Sequence, residues 1–381
     1  MQRSIFFFDR IESQLQTTKT IVNISVVRAD ICDLCSCDGE ESETVFRIKC
    51  LTETKVGTVN VDLENIQWPT INRSLEAHFN NMQFDHLPKL LGSATVKAIN
   101  LDHNLIETIK SDPFKQCKNL KSLSIANNSI HDLPKDFLKS THLLRHLNLS
   151  HNSLSDIDSG VLSHLTSLRS IDLSYNKLKT LSVGIVDTLD NVEILNLEGN
   201  DIIFIQIPER RTLPLEILDL SFNAFTTVPQ NLGAKAPRLD TLILDHNPIE
   251  IIDFVDPIYL RKLSLKNMSL LQDISAAALR NVDGQDDCME VVISHCEKLS
   301  NIDRNAMRHL DLCYLDLSYN NLSSIPELLT NWTRLNKGID LQGNPFECSC
   351  SEQWMLDVIL QQLYLNESQQ QFAVQFKVHR T

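Results

Sequence analysis

The sequence contains few of the residues that commonly separate or link domains. Only 10 glycines and 12 prolines occur among 381 residues, and no stretch of linker composition divides the chain. Aromatic residues make up 6%, and no apolar run approaches the roughly 20 residues that a membrane helix requires. These scarcities argue against several separate domains and predict no membrane span in this chain. The hydrophobic content of 42% nevertheless suffices for a large core.

An excess of basic residues and the motifs of catalysis are also missing. The formal net charge is −14, and the lysines and arginines are scattered, which argues against a nucleic-acid partner. No dinucleotide-binding glycine motif, P-loop, H-E-x-x-H or G-x-S-x-G motif occurs. We therefore expect no enzyme, no cofactor and no metal.

The sequence does contain a repeat, mostly of 24 residues, in which asparagine ends the pattern L-x-x-L-x-L-x-x-N-x-L. Alternate leucines point inward from a short strand, while the residues between them point outward. The asparagine lies where the chain turns off the strand, and the buried backbone of that turn needs polar partners. Residues at matching offsets close the core on the opposite side: Phe114, Phe137, Leu162 and Val186. The recurring asparagines are Asn104, Asn128, Asn152, Asn176, Asn200, Asn223, Asn247, Asn320 and Asn344.

This pattern resembles the leucine-rich repeat family, in its 24-residue extracellular form. The degenerate first coil, ending at Leu87-Pro88, is similar to insect leucine-rich immune and adhesion proteins and to Toll-like ectodomains. The resemblance implies an α/β leucine-rich repeat solenoid, curved and right-handed, with about twelve coils, a parallel concave sheet, a ladder of asparagine amides and cysteine-rich caps. The expected divisions are a possible leader at 1–29, an N-terminal cap at 30–71, repeats at 72–346 and an incomplete C-terminal cap at 347–381.

Cysteines flank the repeats at both ends. Four of them, Cys32, Cys35, Cys37 and Cys50, precede the repeats, and the family resemblance implies the pairs Cys32–Cys37 and Cys35–Cys50; a zinc site is the alternative. Cys348 and Cys350 resemble the opening of a C-terminal cap, followed by a helix at 352–365. No cysteine follows them, so either the chain is truncated or they pair elsewhere.

Three interior cysteines have other interpretations. Cys117 falls on a core position and is expected to be a buried thiol. Cys288 and Cys313 lie in successive coils at columns one apart, so a disulfide between them is one of two open alternatives.

Two repeats depart from the pattern, because Met268 and Cys296 stand where asparagine is expected. The surplus residues of this region, Asn281 to Asp287, are expected to form a solvated acidic loop rather than a calcium site. At the N-terminus, apolar patches before Ala29 suggest either a cleavable signal or a start placed too far upstream.

The residue before each ladder position is often aromatic or histidine. Rigid rings of this kind are favoured as interface anchors, although the position could instead only shield the turn. The predicted binding residues in this column are His103, His151, Tyr175, Phe222, His246 and Tyr319.

A column of charges at the start of each repeat reverses its sign along the chain. Lys97, Lys121, Arg145 and Arg169 are followed by the acidic Glu193, Glu216 and Asp240. Glu198, Asp219 and Asp245 add to the acidic segment, which either attracts a basic partner or is a solvated face.

Eight N-x-S/T sequons agree with export, and we expect glycosylation at Asn72, Asn127, Asn148, Asn267, Asn321, Asn331 and Asn366. The sequence thus predicts a secreted immune recognition or scaffold protein that binds a protein or glycan on its concave face. A homo- or hetero-oligomer is compatible with this. The alternatives are the ectodomain of an adhesion or signalling receptor and an intracellular repeat scaffold, against which the cysteine caps argue.

Overall fold

The chain forms a solenoid built around one long sheet. The computed structural model describes residues 30–39, 44–50, 67–69, 71, 73–87, 93–110, 112–285, 288–346 and 353–360. Fourteen strands pair in the order β1-β2-β3-β4-β5-β6-β7-β8-β9-β10-β12-β15-β17-β18. Only β1 and β2 are antiparallel, and the twelve strands from β3 onward, all parallel, delimit about eleven turns of the solenoid. The leucine-rich repeat fold expected from the sequence is therefore confirmed.

The strands are short because the chain turns off the sheet directly after the L-x-L core of each repeat. They are β1 (Ser36–Asp38), β2 (Val45–Lys49), β3 (Ser74–His78), β4 (Val96–Asn100), β5 (Ser122–Ser124), β6 (His146–Asn148), β7 (Ser170–Asp172), β8 (Ile194–Asn196), β9 (Ile217–Asp219), β10 (Thr241–Ile243), β11 (Ile258–Leu260), β12 (Lys262–Ser264), β13 (Asp273–Ile274), β14 (Val282–Gly284), β15 (Met289–Val292), β16 (Asn301–Ile302), β17 (Leu312–Asp316) and β18 (Gly338–Asp340).

Away from the main sheet, the chain forms turns, the two-stranded sheets β11–β14 and β13–β16, a 3₁₀ helix at Trp332–Arg334 and four-residue helices. These are α1 (Ile31–Leu34), in the N-terminal region, and α2 (Ser159–Leu162), α3 (Val183–Val186) and α4 (Leu232–Lys235) in the repeats. The four residues predicted to close the core here are all buried, and the rings of Phe114 and Phe137 lie 5.9 Å apart. One continuous aliphatic core therefore runs through the described repeats.

All nine predicted asparagines form the ladder. Asn200 is typical: its Nδ2 donates to the carbonyls of Leu173 and Leu197, both at 3.0 Å, while its Oδ1 accepts the Leu178 N–H at 3.0 Å. The Leu173 carbonyl also accepts a bond from Asn176, so consecutive asparagines share acceptors. This sharing links each coil to the next and satisfies the buried turns.

The two irregular repeats lack the ladder asparagine, and a cysteine replaces its donor in one of them. Cys296 is a buried free thiol whose Sγ lies 3.5 Å from the carbonyl oxygens of Leu265 and Ser294, so it replaces the amide as a weak donor. Burial raises the pKa of this thiol to about 11, which keeps the proton that it donates. Met268 at the preceding ladder position is fully buried.

The surplus segment is a short strand in part, so the expectation of a simple acidic loop was wrong for its described residues. Val282–Gly284 form β14, which pairs in parallel with β11 outside the main sheet. Asn281 anchors this segment by donating to the carbonyls of Phe254 and Val255. Asp283 is exposed, and Asp286 and Asp287 lie outside the described residues.

Disulfides fasten the N-terminal region and the irregular repeats. The structure contains Cys32–Cys37 and Cys35–Cys50, the pairing that the resemblance implied. It also contains Cys288–Cys313, one of the two alternatives left open by the sequence. Cys117 is a free, buried thiol as predicted, and burial raises its pKa to about 12.

At the C-terminal end, a π-helical segment spans Met355–Leu360, within the range where a helix was predicted. Met355 and Ile359 are buried, and Trp354 lies against Trp332 with ring centroids 5.2 Å apart. Cys348, Cys350 and the leader at 1–29 lie outside the described residues.

Candidate functional site

The column of rings predicted from the sequence lies in a special backbone conformation. His151, Tyr175, Phe222, His246 and Tyr319 have φ between 52° and 58°, in the left-handed region that bulky residues rarely adopt. Their backbone N–H groups compensate by bonding to the next coil, as in Tyr175 N–H to the Glu198 carbonyl at 2.6 Å. The conformation places these side chains at the edge where the strands end, and we call the column His103, His151, Tyr175, Phe222, His246, His295 and Tyr319 the ring edge.

The rings do not form one continuous stack; six of them lie in pairs. His151 stacks on Tyr175 with centroids 4.4 Å apart, Phe222 on His246 at 3.7 Å, and His295 on Tyr319 at 4.6 Å. Gly199 and Asn267 occupy the column between successive pairs. Tyr175, Phe222 and Tyr319 remain 39%, 43% and 47% exposed, so each pair presents ring surface to solvent.

Tyr175 is fixed from two directions. Its hydroxyl donates to Glu198 Oε1 at 2.6 Å, and this bond, with burial and nearby carboxylates, raises the tyrosine pKa to about 12. Its ring covers Gly199, where a Cβ would lie 2.6 Å from a ring carbon and φ is +66°. The Tyr175 ring leaves no room for a Cβ at that position, and glycine adopts the left-handed backbone without strain.

His246 is an exposed residue whose ring stacks on that of Phe222. Burial lowers its pKa below the usual 6.5, and this outweighs the opposing effects of Asp245 and Glu198. At neutral pH the Phe222–His246 pair is therefore an uncharged surface beside carboxylates.

The three predicted acidic residues lie on the concave face next to the ring edge. Asp219 Oδ1 accepts the Ser221 N–H at 2.9 Å, and Asp245 Oδ1 accepts the Lys266 N–H at 2.8 Å. Burial raises the pKa of Asp219, and the like charges of Glu198 and Asp245 add to the shift. The three carboxylates therefore form one negatively charged region of the concave face.

The acidic half of the charge column at the start of the repeats is paired. Arg169 contacts Glu193 at 3.4 Å, Arg238 contacts Glu216 at 2.9 Å, and Arg261 contacts Asp240 at 2.7 Å. Arg238 comes from outside the column, and Arg261 continues the column in the repeat after those considered in the sequence, which is why its acidic half looked less compensated there. Exposed pairs of this kind contribute little to stability.

Sequence reasoning found the ring column but missed its conformation, its pairing and an apolar strip on the sheet. Ile194, Ile217 and Ile243 occupy outward positions of β8, β9 and β10, and Ile194 is 40% exposed. The strip was detectable, because these outward positions carry polar residues in most other repeats. His103 belongs to the ring edge with φ 56°, but no stacked partner is found for it among the described residues.

The sequons fall at different depths. Asn321 and Asn331 are exposed, whereas Asn127, Asn148 and Asn267 are half-buried on or beside the concave face. Asn148 Oδ1 accepts the Ser150 N–H at 2.9 Å. Asn72 and Asn366 lie outside the described residues, and glycosylation at all seven positions stays a prediction.

Within the described ranges, no helix is long and apolar enough to cross a membrane, and no group of three or more metal-ligating side chains converges.

Comparison with known families agrees with this architecture. Models described as "Leucine rich repeat" match residues 94–154 and 142–202, and a further "Leucine Rich Repeat" model matches residues 311–332.

Solved structures are similar at low sequence identity. The mouse RP105/MD-1 complex matches with a TM-score of 0.54 and 22% identity over 83% of this chain and 56% of that chain. The TLR13–ssRNA13 complex matches with a TM-score of 0.48 and 18% identity, covering 81% of this chain and 50% of that one. The leucine-rich repeat domain of APL1B matches with 0.46 and 16%, covering 100% and 95%. This chain thus spans about half the length of the first two, and the likeness to the RP105 structure concerns the fold alone.

Proposed function

We propose that this chain, a leucine-rich repeat protein, is an extracellular recognition module that binds a protein partner on its concave face. The leucine-rich repeat fold is typically a non-enzymatic interaction module, and its curved sheet offers a long binding surface. Within this class we propose a role in innate-immune recognition or as a scaffold in extracellular fluid.

The observation that carries the proposal is the paired ring edge. Bulky residues in left-handed turns are costly, by roughly 1–2 kcal/mol each. The column nevertheless keeps exposed rings at Tyr175, Phe222 and Tyr319. Rigid, partly exposed rings lose little entropy on binding and are enriched among the residues that dominate interface energy. This supports a contact surface more than a simple cover for the turns.

The disulfides support the extracellular part of the proposal. Cys32–Cys37, Cys35–Cys50 and Cys288–Cys313 would be reduced in the cytosol, whereas they persist in oxidising compartments.

The proposal is tested with a variant that removes rings and keeps the fold. In Y175N/F222N/H246N, each ring becomes asparagine, the residue that the same column already carries at Asn127 and Asn267 in the same conformation. None of the three changes creates a sequon. We expect immobilised variant protein to retain its partners from the extracellular fluid of the source organism at least about tenfold less than wild type, as for the loss of a binding hot spot.

The matched control removes exposed apolar side chains outside the sheet, in I203A/F204A/I251A. It should retain the partners as wild type does, measured by quantitative mass spectrometry. Equal retention by the ring variant and the wild type would exclude the ring edge as the contact surface. Retention that disappears after enzymatic deglycosylation of the fluid would assign a glycan ligand instead.

A further inference from the structure

Among the described strands, isoleucine occupies outward positions of the concave sheet in three neighbouring repeats only. Ile194 pairs in register with Ile217, and Ile217 pairs with Thr241, so these side chains lie side by side across β8, β9 and β10. Ile243 lies at the second outward position of β10, where its register neighbours are Asp219 of β9 and Ser264 of β12. We call Ile194, Ile217, Thr241 and Ile243 the concave floor.

The repeats on either side of the concave floor carry polar residues at the same positions. The outward residues of β7 are Ser170 and Asp172, and those of β12 are Lys262 and Ser264. The adjoining repeats therefore bound the floor with polar residues, and the next apolar side chains at these outward positions are Val292 of β15 and Tyr314 of β17. An apolar patch with a polar rim is typical of an interaction site.

Carboxylates border the concave floor on both sides along the strands. Before the strands stand Glu193, Glu216 and Asp240, each held by an arginine. After them stand Glu198 and Asp245, which bond to hydroxyl and backbone N–H donors, while Asp219 lies within β9 at the edge of the floor. Among the described residues, no basic side chain forms an ion pair with this second row.

The dimensions suit one kind of partner element. Glu193 and Glu198 are five residues apart, as are Asp240 and Asp245, so the two rows are separated by at most about 16 Å along the strands. Crossing from β8 to β10 covers roughly 10 Å, or two strand spacings. An α-helix with its side chains is about 10–12 Å wide and therefore fits between the rows.

We propose that the concave floor and its two carboxylate rows bind an amphipathic cationic helix of the partner. Its aliphatic stripe would lie on Ile194, Ile217 and Ile243, and lysines or arginines flanking the stripe would face the carboxylates, chiefly the row without ion pairs. This inference rests on the proposed function, because it names the partner chemistry of the same face.

The test uses a defined probe and the full chain. The probe is a capped leucine–lysine peptide of about 18 residues with its leucines at helical spacing, long enough to be helical when bound. A second peptide has the same composition, with the leucines spread around the helix. By fluorescence anisotropy at low ionic strength we expect the first peptide to bind at least about tenfold more tightly than the second, and its affinity to fall as salt is added.

Charge-neutral variants locate the site. In E198Q/D245N the new amides keep an oxygen that accepts the same hydrogen bonds, so the fold is preserved while two charges are removed. We expect about tenfold weaker binding of the first peptide. The control E290Q/D340N removes the same charge elsewhere on the concave face and should change the affinity less than about twofold, since those carboxylates lie outside the floor.

A second pair of variants tests the apolar contact. I194S/I217S should also weaken binding about tenfold, whereas I203S/I251S, which alters exposed isoleucines outside the sheet, should not. The inference would be overturned if a floor or carboxylate variant weakened binding no more than its control, if the two peptides bound equally, or if neither bound. If the peptide tests fail while Y175N/F222N/H246N still loses its partners, only the helical partner is refuted. If the peptide tests fail and Y175N/F222N/H246N also keeps its partners, the proposed function is refuted too.

Discussion

Replacing Asn200 with alanine is expected to destabilise the solenoid by about 2–4 kcal/mol. The loss would leave the buried Leu178 N–H without its acceptor and would remove the bonds to the carbonyls of Leu173 and Leu197. Leu173 would keep its bond from Asn176, so the main cost is the unsatisfied N–H and the vacated space. Urea unfolding followed by circular dichroism should show a clearly lower midpoint.

Asn191→Ala is the matched control for that change. Asn191 makes a single exposed bond to the Thr166 carbonyl at 2.8 Å, so its loss should cost less than about 1 kcal/mol. Similar midpoint shifts for the two variants would show that the ladder is not a main source of stability.

Gly233→Ala is expected to destabilise the protein by about 3 kcal/mol. A Cβ at this position would lie 1.8 Å from the Pro257 carbonyl oxygen, which is backbone at the start of β11 and cannot move aside as a side chain would. The close approach packs α4 against β11, so relief of the clash requires the two to separate.

The chain offers a matched control in Gly184→Ala. Gly184 is the second residue of α3, as Gly233 is of α4, but its Cβ would meet only the Ser159 side chain, at 3.2 Å. Alanine is a better helix former than glycine, so this variant should stay within about 1 kcal/mol of wild type. Equal melting temperatures for Gly233→Ala and Gly184→Ala would contradict the tight α4–β11 contact.

The sequence determines most of the fold because the repeat encodes both the core and the turns. The spacing of asparagine identified all nine ladder positions, and the leucine phrase identified the strands between them. The family pattern also anticipated both N-terminal disulfides. The β11–β14 pairing could not be found this way, because a three-residue strand outside the periodic phrase leaves no pattern.

Only part of the candidate site could be predicted from the sequence. The recurrence of rings before the ladder asparagines could be recognised in the sequence. The stacking of those rings in pairs could not, because it depends on the distances between neighbouring coils. Arg238 from outside the charge column pairs with Glu216, and Arg261, which continues the column in the next repeat, pairs with Asp240. The acidic members considered alone therefore exaggerate the exposed negative charge. The concave floor was overlooked because isoleucine in a strand is ordinarily interpreted as core.

The central claim is that the concave face around β8–β10 is the surface that meets a partner, and site-specific photo-crosslinking tests it directly. A benzophenone amino acid is placed at Ile194 on the concave floor in one protein and at Ile203 outside the sheet in another; both side chains are exposed. After irradiation in extracellular fluid, we predict a discrete protein adduct at position 194 that excess unlabelled chain suppresses, and none at 203. Adducts of equal yield at both positions, or at 203 alone, would contradict the account.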